Sequence, residues 1–329
     1  MQYDLNHIYD PDIPECINDF LNYLGTIRGK SKNTMDGYKF DLIMFFRFLK
    51  LYRGKVPSDC EFDQIQINDI EDIFIKKIRL SDLFAFISFA ENYRKNGSYA
   101  RARKVATLKS FFKYLHGKAK IIDENPAMEL ESPKISKRNP IYLTLNESKD
   151  LLKSIDGKYK ERDLCIITLF LNCGLRLSEL CSIDISRIKG DTLTVVGKGN
   201  KERTVYLNKA CLKAIDNYLY VRNQEADKIK DRDALFISKN YTRINKRSVE
   251  LLVKKYIEKA NLDTEKYTPH KLRHTAATLM YKYGNVDIRS LQKILGHENV
   301  STTQIYTHVD DEKLREAVKS NPLSDEYDD

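Results

Sequence analysis

Glycine and proline are scarce in this chain, 13 and 8 in 329 residues. With no low-complexity tract and no internal repeat, that leaves the composition of a folded globular protein. No run of about 18 apolar residues occurs, so no membrane span is expected. The opening "MQYDLNHIYDPDIPEC" lacks the basic-then-apolar order of a secretory leader, and an intracellular, cytoplasmic setting is expected. The six cysteines form no CxxC pair and no finger spacing, which predicts buried free thiols rather than a disulfide framework or a zinc module. One more absence is local. From Asn92 to Ile122 there is no Asp or Glu, against nine Lys and Arg.

A solvated helix face mixes both signs, so a one-signed segment suggests a polyanionic partner, and the net charge of +9 agrees. The basic residues Arg101, Arg103, Lys104, Lys109 and Lys113 fall on a stretch, "SYARARKVATLKSFFKYLHG", whose Val105, Leu108, Phe112 and Leu115 repeat with helical period. Upstream, "TMDGYKFDLIMFFRFLKLY" sets Tyr38, Leu42, Phe45, Phe46 and Leu49 on one helical face, and a further helix is expected to start at Ser81 or Asp82. The first 130 or so residues therefore read as an all-helical domain with a cationic flank. "NPAMELESPKISKRNP" then interrupts the periodicity with three prolines and with Lys134, Lys137 and Arg138, marking a basic linker over 131–140. Beyond it lie more helices and one stretch, "SRIKGDTLTVVGKGNKERTVYLN", that alternates with period two about a glycine-rich turn. It predicts a hairpin with strands near 192–196 and 203–207. The fold class expected is mainly α: a helical N-terminal domain, then an α+β domain with a small antiparallel sheet over 141–329.

Several segments of the second domain carry chemistry. In "TPHKLRHTAATLM", Thr268 and Pro269 suit a helix start, and His270, Arg273 and His274 follow on one face. Two histidines four apart suggest zinc, but Lys271 stands where HExxH has its glutamate, and Arg273 would repel a cation. The set fits an anion better. "CGLRLSEL" places Arg176 at a second helix start with Glu179 three residues on; taken alone, this is equally an ordinary Arg–Glu pair. "VGKGNKER" completes neither GxGxxG nor GxxxxGK[ST], and leaves Lys198 at the tip of a rigid ribbon. Two guanidinium groups match the two non-bridging oxygens of one phosphodiester. "GHENVSTTQIYTH" adds His297, Tyr306 and His308.

Taken together and in order, "GLRLSEL", "VGKGNKERTVYL", "TPHKLRHTAATLM" and "LQKILGHENVSTTQIYTHV" closely resemble the tyrosine recombinases, the Xer-type subgroup in particular. The resemblance spans about residues 15–320 and fills all six family positions: Arg176, Lys198, His270, Arg273, His297 and Tyr306. It implies a SAM-like core-binding domain over 1–130, and a catalytic domain over 141–329 whose tail, "DDEKLREAVKSNPL", docks on a neighbouring protomer. Tyr306 would attack the scissile phosphate, giving a 3′-phosphotyrosyl enzyme and a free 5′-hydroxyl. Arg176, Arg273 and His297 would stabilise the pentacoordinate phosphate, His270 would accept the tyrosine proton, and Lys198 would protonate the leaving 5′-oxygen. Glu179 and His274 would support, and His308 would be structural.

No cofactor or metal is implied. The partners implied are double-stranded DNA bearing a specific recombination site, clamped between the two domains, and a homo- or hetero-tetramer with a second recombinase that passes through a Holliday junction. An accessory activating protein and a nucleoid-associated location complete the expectation, in chromosome-dimer resolution or mobile-element integration. Arg243, Lys246 and Arg247 of "RINKRSVELLVKKYIEKA" join the cationic helix and Lys137 and Arg138 as expected DNA contacts. Three alternatives stay open at this point: a type IB topoisomerase-like enzyme, a DNA-binding relative without catalysis, and a metallohydrolase using His270 and His274.

Overall fold

The computed structural model describes residues 9–134 and 140–309, apart from the side chains of Lys198 and residues 307–309. Lys137, Arg138 and the tail after residue 309 lie outside the described residues, and so does the Lys198 side chain. The chain divides into two compact units, Met1–Lys137 and Arg138–Asp329.

The first unit contains α1 (Glu15–Asn22), α2 (Lys32–Tyr52), a short α3 (Asp72–Lys76), α4 (Leu80–Asn92) and α5 (Ser98–Tyr114). Ser31 caps α2 by accepting from the Thr34 N–H, satisfying one of the donors a helix start leaves free. The apolar stripe of α2 turns inward as its spacing predicts: Leu42, Phe45, Phe46 and Leu49 are fully buried. They meet Phe20 of α1, Phe86 of α4, and Phe111 and Phe112 of α5 in one aromatic core. Phe45 stands edge-on to Phe86 and Phe112, and Phe46 edge-on to Phe111, the orientation that ring quadrupoles favour. α4 starts one residue ahead of Ser81, at Leu80, with the Asp82 carboxylate accepting from the Arg79 N–H.

A buried ion pair also lies in this core. Lys104 of α5 donates to Asp41 of α2 at 3.0 Å, and both side chains are 2% exposed. Thr107 and Arg103 complete the coordination of Asp41. Lys104 was expected on the DNA-facing flank; the structure instead turns it into the core, where its charge holds two helices in register. Arg101 is largely buried and paired with Glu91, while Lys109 and Lys113 are exposed.

The second unit is built from α6 (Leu145–Lys153), α7 (Lys160–Cys173), α8 (Leu177–Cys181), the sheet, α9 (Lys209–Asn223), α10 (Lys246–Lys259), α11 (Pro269–Tyr283) and α12 (Ile288–Leu295). The sheet has three antiparallel strands in the order β1 (Ile188–Lys189), β2 (Thr192–Val196) and β3 (Glu202–Tyr206). The hairpin β2–β3 pairs Leu193 with Val205 and Val196 with Glu202. Its inner face, Leu193, Val195 and Val205, packs on a core that includes the apolar α7 and Tyr256 of α10. β1 has only two residues, too few for an alternating pattern to mark it in the sequence. All six cysteines are free thiols, five of them buried.

Candidate active site

α7 and α12 both end on a left-handed glycine. Gly174 follows Cys173 with φ 58°, and Gly296 follows Leu295 with φ 62°. Glycine is favoured at both places: the left-handed φ strains other residues, and a Cβ would stand 2.9 Å from Leu295 Cδ2 at the first and 2.6 Å from Arg203 Cδ at the second. Each helix end leaves carbonyl oxygens without helical partners, at the negative pole of its dipole. Three arginines take them up. Arg273, the fifth residue of α11, donates to the Gly174 carbonyl at 2.5 Å and to the Leu295 carbonyl at 2.6 Å, tying the two helix ends together. Arg176, at the start of α8, donates to the Gly296 carbonyl at 2.7 Å. Arg203 of β3 donates to the Ile294 carbonyl.

The Glu179 carboxylate lies among these arginines. Glu179 is wholly buried and accepts from Arg176 at 2.7 Å and from Arg203 at 2.8 Å, with Arg273 3.8 Å away. It also accepts from the Arg176 backbone N–H, closing a capping box on α8. Burial alone would raise its pKa. The hydrogen bonds and charge of Arg203, with the bonds from Arg176, outweigh that and hold it below the usual carboxylate value. Burial, then the neighbouring Arg176, pushes Arg273 down to about 10, still protonated at neutral pH. Three guanidinium groups share one negative charge. The surplus is cationic and fixed in direction, a built anion site.

Arg176 and Arg273 line an open cleft of about 700 Å³, together with His270, His297, Lys246 and the Thr268–Pro269 start of α11. Pro269 occupies the first helical position as its sequence predicts, although Thr268 makes no side-chain cap. His297 follows Gly296 directly, and its Nδ1 stands 3.0 Å from the Thr303 hydroxyl. Burial, then Arg273 and Arg176, pushes its pKa down to about 4, so the ring is neutral at pH 7. His270 is exposed toward the cleft and also lowered, by partial burial and then by Lys271 and Arg273.

Tyr306 is 1% exposed, packed on Ala277, Leu291 and Leu295. Its hydroxyl meets Nδ1 of His274 at 2.7 Å. Burial raises the phenol to about 12, with Arg273 pulling the other way. Burial, then His270, pushes His274 down to about 3. Both shifts favour a neutral phenol beside a neutral ring. The His270 ring lies edge-on to His274 with centroids 4.5 Å apart, so the histidine touching the tyrosine here is His274, one helix position past Arg273.

Of the six family positions, Arg176, Arg273, His270 and His297 meet at the cleft, and Tyr306 is buried next to it on His274. Lys198 belongs by its backbone to the β2–β3 turn, where Gly199 takes φ 73°. Nothing in the sequence marks Arg203, because an arginine on an alternating strand reads as a solvent-facing residue. Arg243 was expected to touch DNA, but its guanidinium is held by Asp184 and Asp231 and by the Ile183 carbonyl. Lys246 and Arg247 are exposed, and Lys246 lines the cleft. Among the described residues no group of three or more His, Cys, Asp or Glu is placed to hold a metal ion.

Residues 142–313 match the phage integrase family, and residues 17–118 match the phage integrase N-terminal SAM-like domain. The chain belongs to the phage integrase family. Membership makes it a tyrosine recombinase, an enzyme that breaks and rejoins DNA. It is 61% identical to the tyrosine recombinase XerC of Caldanaerobacter subterraneus subsp. tengcongensis, over 95% of this chain and 88% of that protein. The tyrosine recombinase XerC of Thermodesulfovibrio yellowstonii is 38% identical, over 94% of this chain and 97% of that one. The fold is shared with the crystal structure of XerH site-specific recombinase bound to a palindromic difH substrate, in a post-cleavage complex. That likeness has a TM-score of 0.69 at 22% identity and covers 92% of this chain and 84% of the other. Among the described residues, no helix of this phage integrase family member is long and apolar enough to cross a membrane.

Proposed function

We propose that this tyrosine recombinase cuts DNA with Tyr306, holding the scissile phosphate in the cleft between Arg176, Arg273 and His297. The observation that carries the reading is the surplus of fixed positive charge over one carboxylate, Glu179, at an open cleft next to a buried tyrosine. The arginines are already oriented by helix-end carbonyls, so little reorganisation accompanies phosphate entry, and such preorganised charge stabilises a pentacoordinate phosphorane effectively. His297 adds a hydrogen bond. A phenol held near 12 does not give its proton to an imidazole held near 3, so Tyr306 leaves His274 before it attacks. His270, exposed at the cleft, then receives the proton, and Lys198 on the hairpin turn protonates the departing 5′-oxygen. The phosphotyrosyl ester preserves the bond energy for rejoining, so no ATP is needed, and the arginines supply the positive charge that a metal would otherwise bring.

Lys109 and Lys113 on the first unit, with Lys246 and Arg247 on α10, carry non-specific affinity through phosphates; Lys104 and Arg243 are structural. The partner we propose is duplex DNA with a specific recombination site, occupied by a tetramer of this chain alone or with a second recombinase. The role we propose is chromosome-dimer resolution in the cytoplasm.

A nicked suicide duplex tests the chemistry. The wild-type protein is expected to form an SDS-resistant protein–DNA adduct in excess EDTA, and Tyr306→Phe to bind DNA equally well and form none. An adduct with the Phe variant refutes the assignment. Cleavage lost in EDTA and restored by zinc or magnesium, at unchanged binding, revives metal-assisted hydrolysis.

A further inference from the structure

Thr303 lies three residues before Tyr306, in the tight turns that follow α12. It is a threonine with no measurable exposure in a segment whose neighbours Ser301, Thr302 and Gln304 all face solvent. Its backbone serves the tyrosine: the Thr303 carbonyl accepts from the Tyr306 N–H at 3.1 Å, and its own N–H donates to the Val300 carbonyl at 2.7 Å. Its side chain serves the other side of the site, with the hydroxyl 3.0 Å from Nδ1 of His297. One buried residue thus touches both the turn that presents the tyrosine and the ring that faces the cleft.

The chemistry at His297 depends on which nitrogen carries its proton. A neutral imidazole has one N–H and one lone pair. If Nδ1 holds the proton, the ring offers only a lone pair at Nε2, which repels a phosphate oxygen. If Nδ1 accepts from the threonine hydroxyl, Nε2 carries the proton and can donate. The main chain of His297 is also pinned, its N–H donating to the Gln292 carbonyl at 3.1 Å and its carbonyl accepting from the Gln292 side chain at 2.9 Å. What remains adjustable is ring rotation and tautomer, and the Thr303 hydroxyl governs both.

We infer that Thr303 is a positioning residue for strand cleavage: its hydroxyl donates to Nδ1 of His297 and keeps an Nε2–H aimed at the scissile phosphate. The inference rests on the reading that His297 donates to that phosphate. It also ties donor and nucleophile together, because any movement of this turn shifts both.

The test uses the full-length protein on the nicked suicide duplex. Thr303→Val preserves shape and removes the hydroxyl; Thr303→Ser restores a hydroxyl. Losing an oxyanion donor outright costs about 10²–10³ in rate, so a mis-set donor is expected to slow adduct formation by about 10- to 100-fold in the Val variant. DNA affinity should stay within about twofold, because phosphate contacts elsewhere carry it. The Ser variant should recover to within about threefold of wild type, with ~10-fold loss as the smallest effect attributable to the donor.

In a His297→Ala background, Thr303→Val should cause no further loss, since residues acting as one unit are non-additive. Nitrogen-15 NMR of the histidine side chains should show His297 protonated at Nε2 in the wild type and mixed in the Val variant. A Val variant as fast as wild type overturns the inference. So does a Ser variant as slow as Val, an undiminished Val effect without His297, or an Nδ1–H tautomer in the wild type. The underlying reading fails separately: a fully active His297→Ala, or an adduct with Tyr306→Phe, refutes the site itself.

Discussion

Nδ1 of His274 stands 2.7 Å from the Tyr306 hydroxyl, inside a pocket that leaves the tyrosine 1% exposed. A buried hydroxyl without a partner costs about 1–3 kcal/mol, whereas removing both partners together can be close to neutral. His274→Leu is therefore expected to lower stability by about 1–3 kcal/mol in chemical denaturation. Adding Tyr306→Phe to that variant should restore most of the loss, although Tyr306→Phe alone is expected to abolish cutting. A double variant no more stable than His274→Leu would show that the bond does not hold the tyrosine in place.

Glu179 offers a second test. It is wholly buried between Arg176 and Arg203, so Glu179→Gln keeps the shape and removes the negative charge that these guanidinium groups share. Uncompensated buried charge costs about 3–5 kcal/mol. A loss of that size is expected in urea denaturation, with sulfate recovering part of it by occupying the cleft. A melting temperature unchanged by the substitution and unmoved by sulfate would remove Glu179 from its place at the centre of the cluster.

Acid should act through the histidines. His274 and His297 titrate near 3 and 4 in the fold and near 6.5 when unfolded, so between those values the unfolded chain binds more protons. Stability from both is fully present above about pH 6.5 and is lost as pH falls toward 4. His270, lowered for the same reason, adds to the slope. Thermal unfolding from pH 7.5 to 4.5 should show a falling melting temperature, and His297→Gln should flatten it. A flat profile for the wild type would contradict the burial of these rings.

On the first unit, Lys104 and Lys109 separate structure from binding. Lys104→Met strands Asp41 with two of its three partners, and a loss of about 3 kcal/mol is expected. Lys109→Ala should change stability by less than about 0.5 kcal/mol yet weaken DNA binding and lower the salt slope by about 1. The reverse pattern would place Lys104 on DNA.

Lys198 has its own substrate test. Lys198→Ala should cleave about 10²–10⁴ more slowly at near-normal affinity, and a bridging 5′-phosphorothiolate, whose leaving group needs little protonation, should recover much of that rate. Arg176→Ala should not be rescued. Equal rescue of both, or of neither, would leave the hairpin as a DNA-contacting ribbon.

The helices and the central hairpin were legible because apolar spacing changes visibly between period 3.6 and period two. Arg176, His270, Arg273 and His297, which line the cleft, sit in short local motifs that a sequence displays directly. Lys104 was not recognised, although the signal was there: it lies four residues before Leu108 on the inward face of α5, and Asp41 lies four before Phe45 on that of α2. Two opposite charges on two buried stripes predict a pair, but in a run of nine cations the charge drew attention from the spacing. Arg203 and Thr303 were hidden for another reason. Glu179, the partner of Arg203, comes from another segment; Thr303 is only six residues from His297, but no periodic pattern there shows that its hydroxyl turns to that ring.

The arginines and the carbonyls that orient them are far apart along the chain: 99 residues separate Arg273 from Gly174, and 120 separate Arg176 from Gly296. At a synthesis rate of about 5–20 residues per second, Arg176 emerges on the order of ten seconds before its acceptor exists. A nascent or prematurely ended chain thus carries the guanidinium groups without the α12 end that fixes them and without the tyrosine. The arginine cluster is therefore fixed only after α12 has been made.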